Sequence, residues 1–124
     1  MGQFRFVFTA QDFDRSTGFY GGTLGLKVSA SWDEHGRGTI FLATGTGQIE
    51  IFEHVDAGTP PVPTGMKLAW EVDGVDAEFA RLAAAGVTIL EEPTDRPWGH
   101  RNITIADPDG IVITLFTVTV PGAE

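Results

Sequence analysis

The feature that most constrains the fold of this chain is that it repeats itself. Displaced by 62 positions, the stretch Phe6 to Asp14 lies over Leu68 to Asp76, and both alternate like a strand before turning polar at a helix start. In the helices that follow, Phe13, Thr17, Tyr20 and Leu24 recur at helical spacing, and Val75, Phe79, Leu82 and Gly86 take the matching places. Such a stripe is one buried helical face. Each helix runs into a glycine followed by an apolar residue, Gly25-Leu26 or Gly86-Val87, where glycine accepts the left-handed conformation that ends helices. A displacement of 64 then sets Ile49 to Phe52 over Ile113 to Phe116, again alternating.

Between helix and last strand each half has room for two more strands. They are predicted at about Leu26–Trp32 and Gly38–Thr44, and again at about Thr88–Glu92 and Arg101–Ala106. Gly45 to Gly47 and Asp107-Pro-Asp-Gly110 supply hairpin turns, because proline presets φ and glycine accepts positive φ. Pro60, Pro61 and Pro63 interrupt both periodicities and mark a linker over Ala57–Gly65. The reading is an α+β domain over residues 1–124, with βαβββ modules at 1–56 and 66–120 around a linker at 57–65. The first helix, containing Gly18, Gly21 and Gly22, is weak on propensity and must be held by tertiary packing. The second is rich in alanine, with Asp73 as its expected N-cap.

Composition narrows the function classes. No apolar run approaches the roughly 18 residues of a membrane span, and Met1 to Thr9 alternates around Arg5 instead of forming the apolar core of a secretory signal. The formal charge of −9 opposes non-specific binding to nucleic acid and suits a soluble surface or a cationic small ligand. Without cysteine there is neither disulfide nor thiolate site, so a cytoplasmic location is expected.

Several local motifs resemble the glyoxalase / bleomycin-resistance / extradiol-dioxygenase superfamily, also called vicinal oxygen chelate proteins. They are Asp12-Phe-Asp-Arg-Ser16 leading to Phe19-Tyr20 and Leu24-Gly25, then Glu71 to Asp76 with Ala84-Ala-Gly-Val87, and Trp98-Gly99 before Asp107-Pro-Asp-Gly110. The resemblance implies that the modules curl into a cup-like mixed sheet with helices on its convex side and a ligand on its concave face. It points most closely to the metal-free, bleomycin-resistance-like branch, and implies a homodimer.

Alternation assigns side chains to two faces. Phe4, Phe6, Phe8, Ile49 and Ile51 form the greasy set of the first module; Arg5, Val7, Thr9, Gln48, Glu50 and Phe52 fall on the cup side. In the second, Leu68, Trp70, Val72, Ile113 and Leu115 are core, leaving Lys67, Ala69, Glu71, Val112, Thr114 and Phe116 toward the cup. Metal-using members of the family place His or Gln near the start of each module's first strand and Glu on its last. Carried onto this chain, those positions are Arg5, Glu50, Lys67 and Thr114. Arginine stays charged and lysine must lose its proton to bind a metal, so one carboxylate remains, and no metal or other cofactor is expected. Two readings of these residues stand: a salt bridge of Arg5 or Lys67 with Glu50, or charge-assisted contacts from Arg5 and Lys67 to an anionic or carbonyl oxygen of a ligand.

Among the histidines, His35 and His100 read as turn or loop residues, and only His54 shares a side with Glu50. That pair is the candidate should a metal or acid–base role exist. Trp32, Phe41, Phe52, Trp98 and Phe116 fall near the cup or its rim by parity or loop position, and Asn102 joins them as a polar candidate. Flat organic ligands favour such mostly apolar, aromatic pockets. Two functions follow. One is a metal-free binding protein that sequesters a small aromatic or cationic antibiotic in a cup or dimer groove. The other is a metal-dependent lyase, isomerase, dioxygenase or thiol transferase, with a metal-independent enzyme using Glu50 as base as a third case.

Overall fold

The computed structural model describes residues 3–54 and 65–121. The chain divides into two compact units, Met1–Val62 and Pro63–Glu124. In the first, β1 (Phe4–Ala10) leads through a helix to β2 (Lys27–Trp32), β3 (Gly38–Leu42) and β4 (Gly47–Glu53). In the second, β5 (Lys67–Glu71) precedes α2 (Val75–Ala84), followed by β6 (Thr88–Arg96), β7 (His100–Ala106) and β8 (Val112–Val118). Each unit is a four-stranded mixed sheet, ordered β1-β4-β3-β2 or β5-β8-β7-β6, with the first pair parallel and the others antiparallel. These are the βαβββ modules that the repeat predicts. The linker expected over Ala57–Gly65 lies, apart from Gly65, outside the described residues.

The first helix departs from expectation. The α-helical part, α1 (Phe13–Thr17), is capped by Asp12, whose side chain accepts from the Arg15 backbone N–H at 3.1 Å. It then widens into a π-helical turn over Gly18–Thr23, where Leu24 N–H reaches back to the Phe19 carbonyl at 2.8 Å. The widening brings the Gly21 backbone against the Phe41 ring: a Cβ on Gly21 would stand 2.9 Å from Phe41 Cε1. Tyr20 is fully buried among Phe8, Phe19 and Phe41, with ring centroids 5.9, 5.3 and 6.3 Å away. Aromatic packing therefore holds a segment whose own propensity is poor.

Two further expectations are corrected. Phe4 shares parity with Phe6 and Phe8, yet it is 71% exposed, because it begins the edge strand opposite Gly47. Asp73 does not cap α2. The N-cap is Gly74, without a side-chain cap, and the Thr117 hydroxyl on β8 does that work instead. It accepts from the Val75 backbone N–H at 3.1 Å and donates to the Val72 carbonyl at 3.1 Å.

One face of each sheet packs on its helix. In the second unit that layer contains Val75 and Leu82 from α2 over Ile103, Ile105, Ile113 and Leu115, all buried. On the same side an arginine ties helix to sheet in both units. Arg37 bonds Asp14 at 2.8 Å and Glu53 at 2.8 Å; Arg101 bonds Asp76 at 3.0 Å and Asp95 at 3.1 Å. The Asp14 and Asp76 pair obeys the 62-residue displacement, and the Arg37 and Arg101 pair the 64-residue one. The Arg37 side chain, and then its backbone N–H, hydrogen-bond to Glu53 and hold that carboxyl below its ordinary range. Arg37 is raised in turn, first by Glu53 and then by Asp14.

The β7–β8 connection is the expected Asp107-Pro-Asp-Gly110 turn. Asp107 is buried, and its Oδ1 accepts from the backbone N–H groups of Asp109 at 2.9 Å and Ile111 at 2.8 Å. Gly110 takes φ +87°, which a side chain would resist. Among the described residues, no helix is long and apolar enough to cross a membrane.

Candidate functional site

The face of each sheet turned away from its helix holds most of the candidate site residues. Register fixes the neighbours. In the first unit Glu50 lies between Val7 and Ile40, Gln48 between Arg5 and Leu42, and Phe52 between Thr9 and Gly38. In the second, Thr114 lies between Ala69 and Thr104, Val112 between Lys67 and Ala106, and Phe116 between Glu71 and Asn102. The two open faces therefore correspond position by position.

The first unit's face is occupied by its own side chains. The Arg5 guanidinium donates to Gln48 Oε1 at 3.1 Å, Glu50 Oε1 at 3.2 Å and Gln3 Oε1 at 3.1 Å. All its donor nitrogens are engaged, and the Glu50 carboxylate is paired. Beside them the Trp32 indole lies across Gly38, where a Cβ would sit 2.1 Å from Trp32 Cζ2, and meets Phe52 edge-on with centroids 5.7 Å apart. Glycine at position 38 is what lets the indole lie down on the sheet.

The second unit's face encloses a cavity of about 460 Å³, lined by Lys67, Asn102, Thr104 and Thr114, by Arg96 with Glu91, and by Trp98 with Leu90. That volume lies within the range of small-molecule sites, roughly 300–1,000 Å³. Arg96 is fixed on two sides: it is ion-paired to Glu91, and its Nε donates to Asn102 Oδ1 at 3.1 Å. Its guanidinium stands 6.0 Å from the centre of the Trp98 ring, which is 57% exposed. The Lys67 side chain makes no hydrogen bond or ion pair among the described residues. Below this wall Phe116 stacks on His100, with centroids 4.5 Å apart and planes 7° from parallel.

Of the candidate site residues, Lys67, Trp98, Asn102 and Thr114 come together around this one cavity. Phe116 lies on the same face beside Asn102, and Arg5, Trp32, Glu50 and Phe52 gather on the first unit's face. Phe41 does not belong with them. Its register partner is Ile49, a core residue, and it is buried on the helix side against Tyr20. Sequence reasoning missed His100, expected in a loop: it is the first residue of β7, 7% exposed, with an Nε2 that finds no hydrogen-bond partner among the described residues. Its alternation with Asn102 and Thr104 was the available signal. Arg96 was missed as well, because β6 runs on to Arg96, four residues past its predicted end at Glu92; Leu90, Glu91 and Thr104 lie inside predicted strands for which no faces were assigned.

The positions at which metal-using relatives hold their ligands do not fit a divalent ion. The first unit offers a carboxylate already bound by a guanidinium, and the second offers an ammonium and a hydroxyl. Among the described residues, no three His, Cys, Asp or Glu side chains gather closely enough to hold a metal, and His54 joins no such group with Glu50.

The βαβββ units and their open faces are those of a known class. The chain belongs to the glyoxalase/bleomycin resistance protein/dioxygenase superfamily, whose sequence profile matches residues 2–115. CFP32 of Mycobacterium tuberculosis (strain CDC 1551 / Oshkosh), named as a candidate glyoxylase, is 30% identical over 111 residues. That match covers 90% of this chain and 41% of CFP32, so the chain spans well under half the length of the curated relatives it matches. Among solved structures, TnmS3, an antibiotic binding protein from Streptomyces sp. CB03234, is 29% identical with a TM-score of 0.77, over 95% of this chain and 96% of its own. TioX from Micromonospora sp. ML1 is 21% identical with a TM-score of 0.75, over 95% of this chain and 99% of its own, a likeness of fold alone.

Proposed function

We propose that this chain is a small-molecule binding protein that holds an aromatic ligand without a metal, on the open face of its second unit. The observation that carries the reading is the contrast at the four inherited ligand positions. Arg5 neutralises Glu50 in one unit, while Lys67 and Thr114 border a cavity of about 460 Å³ in the other. A wall with one exposed indole and a few fixed polar groups suits recognition by stacking and hydrogen bonding. The antibiotic-binding role of TnmS3 supports the same reading. Sequestration needs affinity and shape, and no reacting group.

The alternative, a metal-dependent lyase or dioxygenase, draws on the name of CFP32 and requires donors that these positions lack. Metal analysis of the purified protein separates the two. The expectation is no stoichiometric divalent metal; one equivalent that disappears in Glu50→Ala overturns the binding reading. A natural-product panel followed by tryptophan fluorescence supplies the positive arm, with quenching expected from planar compounds and lost in Trp98→Leu. We also propose a homodimer, which covers exposed apolar groups such as Phe4; sedimentation at micromolar concentration giving only monomer contradicts it.

A further inference from the structure

Building on that binding reading, we propose that the second unit's cavity selects planar aromatic carboxylates, with Lys67 as the counter-ion and Trp98 as the stacking wall. The argument is an inventory of the polar groups still available on the wall. Glu91 is the one carboxylate lining the cavity, and Arg96 occupies it. Asn102 spends its Oδ1 on Arg96, leaving its amide NH₂ to donate. Lys67 contributes an unpaired ammonium, and the hydroxyls of Thr104 and Thr114, opposite each other across β7 and β8, can both donate. The free groups thus include a cation and an amide that donate, with hydroxyls that can do either, while Glu91 has one oxygen ion-paired to Arg96. A carboxylate, which only accepts, meets that wall better than an ammonium, which only donates.

Charge points the same way. Two cations and one carboxylate leave the cavity lining net positive, although the chain as a whole carries −9. At physiological salt, exposed charges farther away than about 8 Å are largely screened, so the local ammonium outweighs the diffuse acidic surface. The aromatic preference rests on Trp98, exposed and flanked by Leu90, while the Arg96 guanidinium is held near its ring by two bonds. A wall fixed in this way is preorganised and need not be ordered by the ligand. The first unit offers no equivalent, since Arg5, at the position matching Lys67, is consumed by Gln3, Gln48 and Glu50.

The test is calorimetric titration of the full chain with three probes sharing one ring system: 2-naphthoate, 2-naphthalenemethanol and 2-naphthylmethylammonium. Naphthoate should bind at least tenfold more tightly than the ammonium probe. Lys67→Met should weaken naphthoate at least tenfold, leave the alcohol within twofold, and be rescued by Lys67→Arg. Lys67 is exposed at the start of β5, so folding should survive, and the retained alcohol affinity verifies it. Equal or tighter binding of the ammonium, or naphthoate affinity indifferent to Lys67→Met, overturns the proposal. Failure of all three probes also overturns it, while a natural-product screen that still gives Trp98-dependent quenching leaves the broader binding reading standing.

Discussion

The two units share a scaffold and differ in what they leave available. On the helix side they match down to the arginine that ties helix to sheet, Arg37 in one and Arg101 in the other. On the open side the equivalent positions have parted. Arg5 corresponds to Lys67, Glu50 to Thr114, Gly38 to Asn102 and Ile40 to Thr104. The first unit pairs its charges and lays Trp32 over Gly38; the second keeps a free ammonium and a cavity.

The contrast can be broken at matched positions. The largest effect is expected from the aromatic pair on β4 and β8. Phe116→Ala removes the ring stacked on the buried His100 and should cost about 2–3 kcal/mol, below the 3–5 typical of fully buried rings. Phe52→Ala, whose ring is partly exposed, should cost about 1 kcal/mol. Denaturant midpoints at constant m-value check both, and equal losses would erase the asymmetry.

Next in size is the glycine–asparagine position. Gly38→Ala should destabilise by about 1–3 kcal/mol, because its Cβ displaces the Trp32 indole, and should shift the tryptophan emission to the red. Asn102→Ala should cost about 1 kcal/mol for the lost bond to Arg96, with no such shift. Smaller again is Glu50→Gln. Its ion pair with the half-exposed Arg5 should be worth at most about 1 kcal/mol, and ligand affinity should not change. A ligand that lets go in Glu50→Gln would move the site to the first unit.

The smallest effect is one of pH. Glu53 has a folded-state pKa below its unfolded value, so its contribution is fully present above the ordinary carboxylate range, near 4.3, and is lost as pH falls through the folded value. Arg37 is raised, so its contribution is complete throughout neutral and acidic pH. Thermal melts from pH 7 downward should therefore show a steeper acid-side decline for the native chain than for Glu53→Gln.

The fold was legible because it is written twice. Period-two strands, helical stripes and glycine stops recur at 62 or 64 residues, and two weak copies reinforce each other. The face assignments of Arg5 on β1 and Glu50 on β4 followed from parity alone. Phe41 did not, because its side is set by pairing with Ile49 and by the space at Gly21, both tertiary facts. The cap of α2 was equally hidden, since Thr117 lies 42 residues beyond the N–H it serves. The free state of Lys67 could not be read either. The ion pair of Arg96 with Glu91 was hidden as well, since it forms only once β6 extends to Arg96.

The central claim is that the second unit's open face is the binding half. Backbone amide shifts of the isotope-labelled chain, followed during titration with 2-naphthoate, test it most directly. The account predicts the largest shifts at Lys67, Leu90, Trp98, Asn102, Thr104 and Thr114, with the Trp98 indole N–H moving as well. Largest shifts instead at Arg5, Trp32, Gln48 and Phe52 would contradict it.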